Sequence, residues 1–186
     1  ELQLSNTFKD YILQPNDELM GLTQLVNGFD QNGQACEINV VEEQPLTIFL
    51  NGQEIVTAMT IGDYPQYLAL GFLKNQGMLT DNENILGIDY DDELQTVVVR
   101  TDGKTIYEEK LKKKTRTSGC AVGTVFGDMM EGLENLKLPN VEFKVSWLYE
   151  LSNIINQTPS LYLKAGAIHG TVLCCKNKPL VYMEDV

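Results

Sequence analysis

Two β-rich runs that meet at Asn51-Gly52 constrain the fold of this chain more than any other feature. They lie in "CEINVVEEQPLTIFLNGQEIVTAMT", residues 36–60. Asn-Gly between apolar runs is the strongest short-range signal for a β-hairpin, because both residues tolerate the positive φ of a tight turn. The sequence therefore predicts that ordered structure begins near Cys36 with a hairpin. The first thirty-odd residues show no clear period, and residues 27–35 are predicted to form a loop.

A helix is predicted next, over residues 62–79. Asp63 can cap its first turn, Pro65 suits an early helical position, and Gly77 can take the left-handed conformation that ends it. The predicted buried face consists of Leu68, Phe72 and Leu73. Residues 85–110 then predict three short strands that turn at Asp91-Asp92 and at Asp102-Gly103.

The remainder of the chain predicts two helices and two strands. The helices cover residues 124–136, capped by Thr124, and 146–158, capped by Ser146 and ended by Pro159. The strands cover residues 167–175 and 179–186, joined by "KNK". We therefore expect a β-rich N-terminal subdomain with one helix over residues 1–113. An α/β subdomain follows over residues 114–186.

Charge excludes one class of partner and suggests another. Twenty-six acidic and 14 basic residues give a formal charge of -12, which repels a nucleic-acid backbone. Five of the 14 cations fall within residues 110–116, "KLKKKTR", where they could attract an anionic ligand or simply keep an edge strand soluble. No apolar run reaches the roughly 20 residues of a membrane helix, and no leader pattern opens the chain, so we expect a cytoplasmic protein.

Four cysteines, Cys36, Cys120, Cys174 and Cys175, are too few and too uneven for a disulfide framework. No C-x-x-C pair exists, and we expect no metal site. The adjacent pair Cys174 and Cys175 would point to opposite faces of a strand and is expected to serve as small buried side chains.

Cys120 is the candidate nucleophile. It follows the basic run directly, and nearby cations favour the reactive thiolate form. Gly119 and Gly123 leave the backbone free for the close approach of a reactant. Packing of Cys120 in a turn is the alternative. The only histidine, His169, is either a partner for Cys120 or a structural residue, and Glu184 and Asp185 could orient it or merely end a strand.

Several stretches, taken in order, resemble one family. They are "EEQPLTIFLNG", "YLALGFLKNQGML", "RTSGCAVG", "AGAIHGTVL" and the terminal "EDV". From about Cys36 to Val186 the chain is similar to the formate dehydrogenase accessory sulfurtransferases of the FdhD/NarQ type. Cys120 corresponds to the first cysteine of that family's C-G-x-C-like loop, which carries a persulfide. The second loop cysteine falls at Gly123, so the resemblance supports a carrier with one cysteine.

The resemblance implies a sulfurtransferase that takes persulfide sulfur from a cysteine desulfurase. It passes the sulfur to the molybdenum or tungsten bis(molybdopterin guanine dinucleotide) cofactor, a transient substrate, for formate dehydrogenase. It also implies a homodimer and a C-terminal subdomain similar to cytidine deaminases, without deaminase activity because H-x-E and P-C-x-x-C are absent. His169, Glu184 and Asp185 would support Cys120.

Two departures and two alternatives accompany the resemblance. Lys164, Ala165 and Gly166 stand where relatives often carry T-G-G before the histidine. Relatives continue beyond the position of Val186 with a region that helps to hold the guanine nucleotides, so we expect most cofactor-binding residues there. The alternatives are a non-catalytic chaperone for the molybdenum cofactor and a Cys-His hydrolase that uses Cys120 and His169.

Overall fold

The computed structural model describes residues 11–79, 84–103, 114–117, 123–126 and 137–186. The strands in these ranges are β1 (Thr23–Phe29), β2 (Ala35–Val41), β3 (Gln44–Leu50), β4 (Gln53–Thr60), β5 (Ile85–Asp91), β6 (Thr96–Thr101), β7 (Lys114–Thr117), β8 (Gly123–Phe126), β9 (His169–Cys175) and β10 (Lys178–Asp185). The helices are α1 (Pro65–Asn75), α2 (Val145–Ile155) and α3 (Leu161–Ala165). Two compact units result: Gln44–Pro139 is one, and Glu1–Glu43 with Asn140–Val186 is the other.

The unit Gln44–Pro139 is built on a four-stranded sheet in the order β4-β3-β6-β5. β3 pairs antiparallel with β4 and parallel with β6. Asn51 turns the β3–β4 hairpin with φ of 55°, as the Asn-Gly signal predicted. Its side chain also reaches β6, where Oδ1 accepts from the Thr101 N–H at 2.9 Å and Nδ2 donates to Thr101 Oγ1 at 3.3 Å. The turn is thereby fixed to the neighbouring hairpin.

Helix α1 packs on this sheet. The buried cluster that they share is Leu46, Ile48, Leu50, Ile55, Val56, Ala69, Leu73, Met78, Leu79, Val97 and Val99, with Leu68 and Phe72 partly buried against it. Pro65 begins the helix, and Gly77 takes φ of 64° just after it, both as predicted. The predicted cap is wrong by one residue: Tyr64, with φ of 50°, occupies the N-cap position, and Asp63 is buried beside it.

Two predictions around residues 85–136 are tested in part. β5 and β6 and the turn between them are confirmed, with Asp91 Oδ1 accepting from the Leu94 N–H at 3.0 Å. The third predicted strand, residues 104–110, lies outside the described residues. Thr124 does not cap a helix, because it lies in β8 opposite Arg116 of β7. The rest of that predicted helix also falls outside the described residues, at 127–136.

The β1–β2 hairpin corrects the prediction that order begins near Cys36. β1 pairs antiparallel with β2 from Thr23 opposite Val41 to Phe29 opposite Ala35. Only residues 30–34 of the predicted loop lie between the strands. Asp30 stabilises this turn, because its Oδ1 accepts hydrogen bonds from the backbone N–H groups of Asn32 and Gln34, each at 2.8 Å.

The β9–β10 hairpin is confirmed as predicted and forms the centre of the other unit. Residues 11–13 run along the free side of β10, where the Ile12 N–H donates to Leu180 O at 2.8 Å and the Tyr182 N–H donates to Leu13 O at 2.9 Å. α2 begins at Val145 after an extended Lys144, so Ser146 lies inside the helix and does not cap it. The short α3 was not predicted.

The mixed α and β content, mostly strands with few helices, agrees with the predicted α+β class. The likeness to cytidine deaminases stays a prediction. The unit made of Glu1–Glu43 and Asn140–Val186 is not continuous in sequence, and residues 11–13 of its first part pair with β10 of its second. The predicted division after residue 113 borders a range outside the described residues and stays a prediction.

Candidate functional site

Cys120 lies outside the described residues, within 118–122. The strands on either side of it in sequence are described. β7 and β8 pair antiparallel, with Thr117 opposite Gly123 and Arg116 opposite Thr124. The candidate nucleophile thus belongs to the five residues between two paired strands, and the basic run 110–116 leads into the first of them. Its predicted role stays a prediction.

The other three predicted site residues meet at one end of the β9–β10 hairpin. His169 is the first residue of β9, and Asp185, the last of β10, lies directly opposite it. Glu184 lies opposite Gly170. Because successive residues of a strand point to opposite faces, Glu184 and Asp185 serve different surroundings. The pairing brings His169 and Asp185 together and separates both from Glu184.

Glu184 is only 4% exposed. Its Oε2 accepts from the Leu161 N–H at 2.7 Å, and its Oε1 accepts from the Tyr162 N–H at 3.3 Å. These are first-turn N–H groups of α3, which have no partner within the helix. A carboxylate at this position is also favoured by the partial positive charge of a helix start. Glu184 therefore fixes the beginning of α3 to the end of β10.

Tyr182 makes the third hydrogen bond to Glu184, and it was not among the site residues predicted from the sequence. Its hydroxyl donates to Glu184 Oε1 at 2.8 Å. Burial, followed by this hydrogen bond and the nearby carboxylate charge, raises the pKa of Tyr182 to about 12. Tyr182 and Glu184 stand two apart on one strand, and this period-two pairing of polar residues in "PLVYMEDV" was the available signal.

Further polar side chains surround this pair. Ser160 Oγ accepts from the Leu163 N–H at 3.3 Å and caps α3. The Tyr11 hydroxyl lies 3.0 Å from Thr158 Oγ1, and the Tyr11 ring centre lies 6.4 Å from that of Tyr182. The N-terminal segment thus contributes directly to the surroundings of β10.

His169 follows a turn with unusual backbone angles. Gly166 ends α3 with φ of 66°, and Ala167 has φ of 53°, a conformation that is uncommon for alanine. Ile168 is then buried, and His169 is exposed. The imidazole accordingly lies at the surface, directly after this turn.

Cys174 and Cys175 differ from the prediction that they are buried. Cys175 is exposed, while Cys36 and Cys174 are half-buried. Burial raises the pKa of the Cys174 thiol. Within the described ranges, no three His, Cys, Asp or Glu side chains come close enough to hold a metal ion.

No helix in the described part of the chain is long and apolar enough to cross a membrane.

The chain resembles known proteins over most of its length. A protein from Wolinella succinogenes is 25% identical over 159 residues, covering 79% of this chain and 52% of that protein. A protein from Bacillus subtilis is 26% identical over 153 residues, covering 81% and 58%. Both are named sulfur carrier protein FdhD. The chain thus spans between half and two thirds of the length of these relatives.

A solved structure and a family profile agree with these relatives. The crystal structure of a candidate formate dehydrogenase accessory protein from Desulfotalea psychrophila superposes with a TM-score of 0.62 at 21% identity. It covers 88% of this chain and 60% of the other, so the two share a fold. The profile described as the FdhD/NarQ family matches residues 41–186. The chain therefore belongs to the FdhD/NarQ family.

Proposed function

We propose that this chain is a sulfur carrier that uses Cys120 to hold sulfur as a persulfide. The observation that carries the proposal is that the family match spans Cys120 and that relatives across the same region are named sulfur carrier proteins. Sulfur transfer of this kind needs a thiol, and Cys120 lies between glycines beside the densest run of positive charge in the chain.

The loading step exchanges one S–S bond for another. The Cys120 thiolate attacks the outer sulfur of a donor persulfide, and the donor's S–S bond breaks. A new S–S bond forms on Cys120, and the donor leaves as a thiolate, so no external oxidant or reductant is consumed. A cysteine desulfurase supplies such a persulfide from cysteine, which makes it the proposed partner. The protein is then an enzyme of the sulfurtransferase class.

The basic run 110–116 is proposed to favour both the loading of sulfur onto Cys120 and its transfer to an acceptor. Its cations favour the thiolate of Cys120 and attract an acceptor that is rich in phosphate. We propose the molybdenum or tungsten bis(molybdopterin guanine dinucleotide) cofactor as that acceptor, bound transiently before it enters a formate dehydrogenase. The reaction would take place in the cytoplasm, where thiols stay reduced, and on a homodimer.

His169 is proposed to serve this exchange from the surface of its unit. It is the only histidine of the chain, so any imidazole that takes part in the exchange must be His169. Asp185, directly opposite on β10, is the carboxylate that can orient it. Glu184 is instead engaged with the first-turn N–H groups of α3 and with Tyr182.

Intact-protein mass spectrometry after incubation with a cysteine desulfurase and cysteine tests the proposal. We expect the wild type to gain one sulfur atom that reductant removes, and Cys120→Ser to gain none. Cys175→Ser is the matched control, because Cys175 is an exposed thiol on β9 and its removal should leave the gain intact.

Two results would contradict the carrier role of Cys120. One is sulfur on the Cys120→Ser variant but not on Cys175→Ser. The other is no sulfur on the wild type while the desulfurase in the same tube turns over cysteine. The second result, combined with activation of formate dehydrogenase by Cys120→Ser, would favour a non-catalytic cofactor chaperone instead.

A further inference from the structure

The segment from Leu161 to Gly170 is held at both of its ends by the same two residues of β10. At its beginning, Glu184 accepts from the backbone N–H groups of Leu161 and Tyr162. At its end, Gly170 lies directly opposite Glu184 in the β9–β10 register. His169 immediately precedes Gly170, so the imidazole is attached to a segment whose two ends both meet Glu184, one at its carboxylate and the other at its place in β10.

The ring of Tyr182 packs against the second end of this segment, at Gly170. A Cβ atom placed on Gly170 would lie 2.9 Å from Cε2 of the Tyr182 ring, closer than such atoms approach one another. The ring therefore lies against the bare backbone of Gly170, and only glycine leaves room for it there. The hydroxyl of the same ring donates to Glu184 Oε1 at 2.8 Å, which joins the two ends of the segment.

Both residues are almost completely buried, at 5% exposure for Tyr182 and 4% for Glu184. Buried polar groups keep a fixed geometry when every hydrogen-bonding group is satisfied, because breaking one bond leaves a desolvated partner. His169 is exposed and Asp185 is half-buried. Both point to the face of the hairpin opposite to that of Tyr182 and Glu184. The rigid pair therefore lies beneath the strand ends that present His169 and Asp185.

We propose that Tyr182 and Glu184 are positioning residues that act on sulfur transfer by setting the position of His169. This inference rests on the proposed function of the chain. It assigns a role to Tyr182, and it changes the role of Glu184 from a group at the reacting centre to one that acts through the loop 161–170.

The first test follows His169 itself. Because it is the only histidine, the imidazole resonances of the full chain in a proton–nitrogen NMR spectrum belong to one residue. We expect Tyr182→Phe and Glu184→Gln to move these resonances. Tyr149→Phe, which changes an exposed residue of α2, should leave them in place. Unmoved resonances in Tyr182→Phe, with the variant folded by circular dichroism, would overturn the proposal.

The second test separates positioning from a general loss of structure. The rate at which Cys120 gains sulfur is followed by mass spectrometry in a double-mutant cycle with His169→Ala. We expect Tyr182→Phe to slow loading several-fold when His169 is present and to have no further effect when it is absent. Equal slowing in both backgrounds would show that Tyr182 acts independently of His169 and would overturn the inference.

The two tests also keep the inference distinct from the proposed function. If the wild type gains no sulfur, the carrier role fails, and the imidazole spectra alone decide whether Tyr182 and Glu184 set the position of His169. If the wild type gains sulfur and the imidazole resonances do not respond to Tyr182→Phe, the carrier role stands and the positioning role fails.

Discussion

At the scale of single residues, buried polar groups define the C-terminal part of this chain. Glu184 accepts hydrogen bonds from two backbone N–H groups and one hydroxyl, so its almost completely buried carboxylate is satisfied. Gly170 contributes by having no side chain, since the Tyr182 ring occupies the space that one would need. The backbone on either side of His169 is thus held by residues of β10.

Tyr182→Phe is expected to destabilise the protein in a pH-dependent way. At neutral pH the variant should lose about 1–3 kcal/mol of unfolding free energy, because a buried carboxylate loses a donor. The pKa of Tyr182 is raised in the folded state from 10.0 to about 12. The folded protein therefore holds this proton more tightly than the unfolded chain, and the stabilisation is complete below pH 10 and lost as the pH rises to about 12.

Urea unfolding at several pH values checks this expectation. The difference in unfolding free energy between wild type and Tyr182→Phe should stay constant up to about pH 9. It should then decrease by about 2 kcal/mol between pH 10 and pH 12. Tyr149→Phe, at an exposed position, should cost less than about 0.5 kcal/mol at neutral pH. A gap that widens above pH 10 would contradict the assigned hydrogen bond.

At the scale of elements, turns and helix ends that depend on neighbouring residues were predictable from the sequence, while elements that depend on distant contacts were not. The Asn51 turn, the Gly77 helix end and the "KNK" turn were predictable because a few neighbouring residues determine each of them. α3 was not predictable, since its five residues depend on Glu184, 23 positions away in sequence. β1 was missed because its sequence, "TQLVNGF", alternates weakly and its side chains are mostly exposed.

Asn51→Ala should destabilise the Gln44–Pro139 unit by about 2 kcal/mol. Alanine at φ of 55° is strained, and the Thr101 N–H loses its acceptor near the end of β6. Asn51→Gly removes the same hydrogen bonds but relieves the backbone strain, so it should cost about half as much. Thermal unfolding of the two variants makes the comparison. An alanine variant as stable as the glycine variant would show that the left-handed turn is not maintained.

At the scale of the whole molecule, burial is concentrated in one sheet. Ile48, Leu50, Val97 and Val99 of the central strands are completely buried. The β1–β2 hairpin instead exposes Leu25, Phe29 and Ile38. Stability is therefore expected to differ greatly between these regions, because local opening costs least where few apolar contacts are broken.

Hydrogen exchange followed by mass spectrometry should display this difference. Peptides that cover β3 and β6 should exchange only through global unfolding, and peptides that cover β1 and β2 should exchange at least ~100-fold faster. Exchange of β1 and β2 at the rate of the central strands would mean that the hairpin is covered by a contact beyond those described.

The candidate site was partly predictable for the same physical reason. Cys120 and His169 could be selected from residue type and neighbouring sequence, because reactivity depends on a thiol, an imidazole and local charge. The Tyr182–Glu184 contact and its link to α3 could not, because it arises only when β10 and residues 160–162 meet in space. Candidate reactive residues can be selected from the sequence, while the residues that contact the surrounding backbone are identified only from the structure.

The pairing of residues 11–13 with β10 has a practical consequence for dividing this protein into fragments. The family match begins at residue 41, at the last residue of β2. A recombinant fragment cut at that homology boundary would lose β1, nearly all of β2 and the segment that satisfies the backbone of Leu180 and Tyr182. The exposed β10 edge would then invite self-association in a test tube. Expression should therefore start upstream of the homologous region.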